Sequence, residues 1–416
     1  MGRTPRTRQQ PRAKVAAIAA RLAGSCAAVL REHMERLRGV GDHPNRVLHY
    51  DELLGGLLLG FYDSVVRSLR TLDLRSVTGE EMGNALDGLR LARSTVGDAM
   101  ADLPAAALLP LLRELLDRLP GNCAHPRLAD LATLKKRIHA IDGSYFRVPA
   151  DVLWALAHTR RNGKGARHVR LDLHYDVLRF APASASVDGA SRGSESAAFA
   201  RTLEAGVIYL ADRNFVDFDF LRAVLAIGSD FVVRSKKAGS GPNVDVSSVA
   251  ELTAKDAAAG VLLDERVTLP GSDRTPGLGE AGARVPLRVV TVFDPVRREE
   301  VRLLTTLPAV PAWVIGQLYR QRWAIELFFR WLKCVAKVKH LCAASENGIT
   351  MQFYVVIIAT LLMYLRTGQR PSVYTTVLLG SAAAGDLALE RVPEALERIA
   401  RERELERLRL SKKKRA

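Results

Sequence analysis

From about Arg137 the chain alternates apolar runs of strand length with short helical stretches, and that order leaves few folds open to it. IHAIDGS, HVRLDLHYDV and LRFAPASASV read as three consecutive strands joined by polar turns. Ser194 to Leu203 then reads as a crossover helix, VIYLAD as a buried strand, Phe218 to Ile227 as a second helix and SDFVVRSK as a fifth strand. A meander followed by helix–strand–helix–strand predicts one mixed sheet carrying helices. Antiparallel neighbours join through tight turns, whereas parallel ones need a crossover.

This is the element order of a ribonuclease H-like fold. The expected class is α/β: a ribonuclease H-like core with a β-rich insertion, preceded by an α-helical N-terminal domain. The basic residues 1–14, with Pro5 and Pro11, read as a disordered arm, and residues 15–134 as the helical domain. Arginines scattered along its helices, as in LRLARSTVGDAM, allow DNA contact or an ordinary solvated face. The core is assigned to 135–235 and 309–370. Between them, 236–308 is punctuated by Gly, Pro, Asp and Ser around GVLLDERVTL, LRVVTVFD and EVRLLTTL, which makes it the β-rich insertion. Residues 371–416 form a helical C-terminal region with the basic tail SKKKRA. The most apolar run, Met351 to Leu365, is short for a membrane span and carries Gln352 and Thr360, so it reads as a buried helix.

With 48% hydrophobic residues the chain can build packed cores, and its net charge of +16 favours a polyanionic partner. Cys26, Cys123, Cys334 and Cys342 form neither a CxxC pair nor a zinc spacing, so they read as reduced thiols of a cytoplasmic protein. MGRTPRTRQQPRAK has no apolar segment behind its basic residues, so no signal peptide is expected there.

Tyr319 to Lys339, YRQRWAIELFFRWLKCVAKVK, lacks Gly and Pro and reads as one helix. At roughly 100° per residue, Tyr319, Arg322, Glu326 and Lys333 share one face with Arg330 and Lys337. Leu318, Ala324, Ile325, Phe328, Leu332 and Val335 fill the opposite face. A single carboxylate in such a stripe is as often half of a surface ion pair. Asp142 in IDGS and Asp212 in VIYLADRNF give it another meaning, because each ends an apolar strand. Alone, Asp142 would be a turn former and Asp212 a helix N-cap. Together, three carboxylates among arginines and lysines suit divalent metal chemistry on a phosphate backbone, since Mg²⁺ prefers oxygen ligands.

The spacing Tyr319, Arg322, Glu326, Lys333 resembles the signature of the DDE transposases of bacterial insertion sequences, in the insertion-sequence-four family. Asp142-Gly143-Ser144 and Asp212-Arg213-Asn214-Phe215 match the two aspartate elements of that family, and the resemblance covers about residues 135 to 370. It implies hydrolysis at the transposon end to free a 3′-hydroxyl, then attack of that hydroxyl on target DNA. Asp142, Asp212 and Glu326 would be the catalytic residues and hold two Mg²⁺ ions, with Mn²⁺ able to substitute. Tyr319, Arg322 and Lys333 would bind DNA phosphates, with Arg213 and Arg330 as further contacts and Arg234, Lys236 and Lys237 as additional candidates. The implied partners are double-stranded DNA, as transposon ends and target, and a second copy in a synaptic complex. No membrane is implied, and the setting is the cytoplasm, at the nucleoid. Two other readings stay open: a transposase-derived DNA-binding protein that has lost transposition, and a ribonuclease H-like nuclease without strand transfer. Trp323 and Trp331 read as helix-packing residues.

Overall fold

The computed structural model describes residues 23–413 except 42, 44, 64, 121–128, 133, 160–164, 190–193, 236–243, 271–277, 279–286, 335–342, 369, 385–386 and 389–390. The predicted basic arm, Lys236, Lys237 and Lys337 lie outside the described residues. Helices α1 (Ala27–Arg38), α2 (Tyr50–Tyr62), α3 (Leu69–Thr78), α4 (Glu80–Ala85), α5 (Arg93–Asp102) and α6 (Leu109–Asp117) come first. Strands β1 (Arg137–Val148), β2 (Leu156–Thr159), β3 (Gly165–Asp176) and β4 (Ala181–Asp188) follow, then α7 (Glu195–Ala200), β5 (Val207–Ala211), α8 (Phe218–Ala226) and β6 (Asp230–Arg234). Next are β7 (Asp245–Val249), β8 (Val261–Thr268), β9 (Leu287–Asp294) and β10 (Glu299–Thr305). Helices α9 (Ala312–Gln321), α10 (Trp323–Cys334), α11 (Glu346–Thr367), α12 (Val373–Ala384) and α13 (Val392–Lys413) close the chain. It divides into two compact units, Met1–Leu119 with Arg330–Ala416, and Pro120–Phe329.

The second unit is built on one ten-stranded mixed sheet in the order β2-β3-β1-β5-β6-β10-β9-β8-β7, with β4 also paired to β3. Among the described residues only β1–β5 and β5–β6 are parallel. β5, VIYLA, is buried at every position, as expected of a strand flanked by parallel neighbours with both faces covered. Phe199 of α7, Phe220, Leu221 and Val224 of α8, and Phe215 between them pack with Ile141, Tyr209, Phe231, Val289 and Leu304 of the sheet. Each fully buried ring contributes roughly 1.5–3 kcal/mol.

Two strand expectations change. The meander holds an extra strand, β2, paired with the start of β3. β1 does not end at Asp142 but continues to Val148, because β3 supplies ladder partners from His139 to Val148. Within 236–308, β10 pairs with β6, so β7 to β10 extend the core sheet. At its far edge β7 is exposed throughout and reads DVSSV, a polar rim suited to an unpaired edge.

The first unit is helical and drawn from both ends of the chain. Its centre is α11, whose residues Ile349, Phe353, Ile357 and Leu361 are buried among many others. This helix is long and apolar enough to cross a membrane, yet its most apolar window is 83% buried inside the protein. The Asn347 side chain joins it to the end of α5, donating to the carbonyls of Met100 at 2.8 Å and Leu103 at 2.7 Å and accepting from Ala105 N at 2.9 Å. Gly368 ends the helix at φ +65°, a left-handed position glycine adopts without strain. Sequence reasoning assigned α11 to the 309–370 part of the core; its packing groups it with the helices instead, because no face of it is polar enough to meet solvent.

Candidate active site

β1 and β5 run parallel in a register that ends at the pair Ala140–Leu210. Asp142 and Asp212 therefore each lie two residues past the last paired couple, the first within β1 and the second just after β5. β1 is buried from Ile138 to Ile141 and half-open from Asp142 to Ser144, so the site begins where the β5 partner stops. The Asp142 Oδ1 accepts from the Gly143 amide at 3.0 Å. The Asp212 Oδ1 accepts from the Asn214 amide at 2.7 Å, capping the 3₁₀ turn Arg213–Phe215. The capping role foreseen for Asp212 is real, and it fixes the carboxylate at the strand end.

Glu326 comes from the first turn of α10. The stretch around it is not one continuous helix: α9 ends at Gln321 and α10 starts at Trp323, with Arg322 between. There the Arg322 amide donates to the Tyr319 carbonyl at 3.0 Å and the Ile325 amide to the Arg322 carbonyl at 3.2 Å. These i→i+3 bonds tighten the backbone where i→i+4 bonds would continue a straight helix. Arg322 keeps helical dihedrals, φ −53° and ψ −32°, which is why no breaker residue marks the joint.

Arg322 links the two sides of the site. Its Nη2 donates to Glu326 Oε1, and its Nη1 lies 3.8 Å from Asp142 Oδ2. Its side chain is 12% exposed, against 24% for Asp142 and 31% for Glu326. Burial pushes the Asp142 carboxyl up to about 7; Arg322 opposes this, while Glu195, Asp212 and Glu326 add to it. Asp212 and Glu326 thus both act electrostatically on Asp142. Burial alone would weaken the Arg322 charge, but Tyr319, Glu326 and Asp142 hold its pKa above the ordinary value. The Tyr319 ring centroid lies 5.9 Å from the guanidinium, and burial raises the Tyr319 hydroxyl.

Beside the carboxylates, Asp212, Arg213, Arg234, Arg297, Glu299, Tyr319 and Arg322 line an open cavity of about 360 Å³. Arg234 and Arg297 both reach Glu299, at 3.0 and 3.8 Å, and Arg213 and Arg322 line the same cavity. Arg330 is exposed on α10 and Lys333 sits in its last turn; both belong to the helical unit. Trp323 is 41% exposed with Arg297 5.9 Å from its ring, so it is not the packing residue expected.

Two residues escaped the sequence reading. Arg297 sits in the β9–β10 turn, where nothing local sets an arginine apart. Glu195 opens α7, where an acidic residue in the first turn is commonplace. Its Oε1 is buried without a hydrogen-bond partner.

The donors are all carboxylates, hard oxygen ligands of the kind Mg²⁺ and Mn²⁺ take. Among the described residues no three His, Cys, Asp or Glu side chains are grouped closely enough to share one ion. A Mg²⁺ site usually needs only one or two carboxylates, with water and phosphate completing it, so the residues fit such an ion. In the structure the Arg322 guanidinium is the cation between Asp142 and Glu326.

Residues 133–362 match the family model of the transposase DDE domain. The chain belongs to that family. A Sinorhizobium fredii protein named as a transposase is 28% identical over 50% of this chain and 55% of its own length. The chain thus spans about half the length of that relative. A protein of Geobacillus stearothermophilus named as a transposase for an insertion sequence element is 24% identical over 68% of this chain and 70% of its own length. A solved structure of the piggyBac transposase synaptic complex with hairpin DNA aligns with 94% of this chain and 83% of its own, at 11% identity and a TM-score of 0.39. That likeness is too weak to bear on the fold or the chemistry of this chain.

Proposed function

We propose that the protein is a DNA transposase with a ribonuclease H-like core, cutting double-stranded DNA at transposon ends and joining the freed 3′-hydroxyl to target DNA. What supports this reading most is the placement of Asp142 and Asp212 at equal offsets beyond the β1–β5 pairing, with Glu326 tied to Asp142 through Arg322. Asp142, Asp212 and Glu326 would hold two Mg²⁺ ions, which supply an activated nucleophile and a stabilised leaving oxygen when bound. Arg322, Arg213 and Tyr319, with Arg234 and Arg297 in the same cavity, would fix a phosphate beside the carboxylates. Lys333 and Arg330 would contact the DNA backbone elsewhere. A pair of copies would hold the two ends in a synaptic complex.

The test is a supercoiled plasmid carrying the ends that flank the gene, incubated with Mg²⁺ or with EDTA. The wild-type protein is expected to excise the segment only with Mg²⁺. Glu326→Gln is expected to abolish excision while leaving end binding within about threefold, since it removes a metal ligand and no phosphate contact. End binding without cleavage by the wild type would leave the inactive DNA-binding reading instead. Cleavage without strand-transfer product would leave the nuclease.

A further inference from the structure

Gly143 follows Asp142 in β1, and the space where a Cβ would stand is already taken. An added Cβ would lie 2.4 Å from Glu195 Oε1, 2.8 Å from Asp172 Oδ1 and 3.1 Å from Arg170 Cδ. Asp172 and Arg170 explain themselves. They form a buried fork, with Arg170 Nε donating to Asp172 Oδ1 at 2.6 Å, Nη2 to Asp172 Oδ2 at 2.9 Å and Nη2 to Asp188 Oδ2 at 3.2 Å. Glu195 is held less fully. Burial raises its carboxyl, the Arg170 charge and the Gly143 amide oppose this only in part, and its Oε1 is out of water with no hydrogen bond. A carboxylate oxygen in that state bears the cost of its lost hydration.

The position of that oxygen gives the cost a purpose. It rests on the backbone of the residue next to Asp142, and it acts electrostatically on both Asp142 and Asp212. Arg170 gives its hydrogen bonds to Asp172 and Asp188, and Arg322 meets Glu326 and Asp142, so neither is bonded directly to Glu195.

We propose that Glu195 is a positioning residue of the candidate active site, a fourth carboxylate that Gly143 admits beside Asp142 and that raises the site's affinity for a divalent cation. The inference rests on the metal-dependent reading above. Glu195 would act through its unpartnered Oε1, by accepting from water held on the cation or by its charge. Supporting groups of this kind typically change metal affinity 10–100-fold. The glycine follows from the same arrangement: any larger residue at 143 would displace the Glu195 carboxylate.

The test is Mn²⁺ binding to the full chain without DNA, followed by electron paramagnetic resonance of the free ion well below the melting temperature. Wild type, Asp142→Asn, Glu195→Gln and Glu195→Asp would be compared, with melting curves of the metal-free proteins alongside. Glu195→Gln keeps the shape and removes the charge, so the dissociation constant for Mn²⁺ is expected to rise at least tenfold. Its metal-free melting temperature should equal or exceed that of the wild type, because a like charge is lost. Glu195→Asp should bind Mn²⁺ more tightly than Glu195→Gln. Unchanged Mn²⁺ affinity in Glu195→Gln, with Asp142→Asn clearly weakened, would overturn the role of Glu195 and leave the metal site standing. Wild-type binding no tighter than that of Asp142→Asn would overturn the metal reading and this inference with it.

Discussion

At the scale of single residues, two features of the sheet unit set measurable limits. The first is Gly143, whose Cα faces two carboxylates and an arginine stem at less than ordinary van der Waals distance from an added methyl. Glu195 is the end of a long side chain and can swing away, but Asp172 is short and locked to Arg170. We predict that Gly143→Ala lowers stability by about 1–3 kcal/mol, the usual cost of overpacking, as read from urea unfolding. A neutral result would mean that the Arg170–Asp172 fork moves freely. The second is the buried pair His139 and His174, edge to face at 6.1 Å between centroids and both against Tyr209. Burial brings His174 down to about 4 and holds His139 well below its ordinary value, where the His174 charge adds to the effect. A depressed imidazole is neutral in the fold and takes up its proton first in the unfolded chain. Its contribution is thus complete above about pH 6.5 and fades as pH falls from there towards 4. At ~1.4 kcal/mol per pH unit, His174 alone accounts for about 3 kcal/mol across that window. Urea unfolding at pH 7.5 and pH 5 should show the loss, and His174→Asn should shrink it.

At the scale of elements, the joints matter more than the helices and strands they connect. Arg322 sits between α9 and α10, so one residue fixes the angle of Glu326 and also supplies the cation that meets it. In the helical unit Asn347 has a comparable role, satisfying carbonyls at the end of α5 and the Ala105 amide from the first turn of α11. Removing its side chain leaves those groups to water or to nothing. We predict that Asn347→Ala costs about 1–3 kcal/mol and makes the amide of Ala105 exchange faster with solvent, which hydrogen exchange would detect. Protection at Ala105 equal to wild type would show that the anchor is redundant. Periodicity foretold most strands of the sheet and the buried helix α11. It missed the break at Arg322 because the residue remains helical in its dihedrals, and it missed β2 because four residues carry too little alternation to stand out.

At the scale of the molecule, a net charge of +16 gives any DNA complex a steep dependence on salt. If Arg322 meets a phosphate in that complex, Arg322→Ala should reduce the slope of log affinity against log salt by about 0.9. An unchanged slope and affinity would remove it from the interface. The sequence by itself offered the candidates for chemistry: Asp142, Asp212, Glu326 and the spaced Tyr319, Arg322 and Lys333, because each stands in a short motif whose spacing is local. It also determined the order of strands and helices, since hydrophobic period is a local property. Only the tertiary structure decided that β7 to β10 continue the core sheet, that α11 joins the N-terminal helices, that Arg322 bridges two carboxylates, and that Glu195 lies on Gly143. Each of these joins residues far apart in the chain, and what selects them is strand register and the pairing of buried charge, quantities that exist only once the sheet has formed.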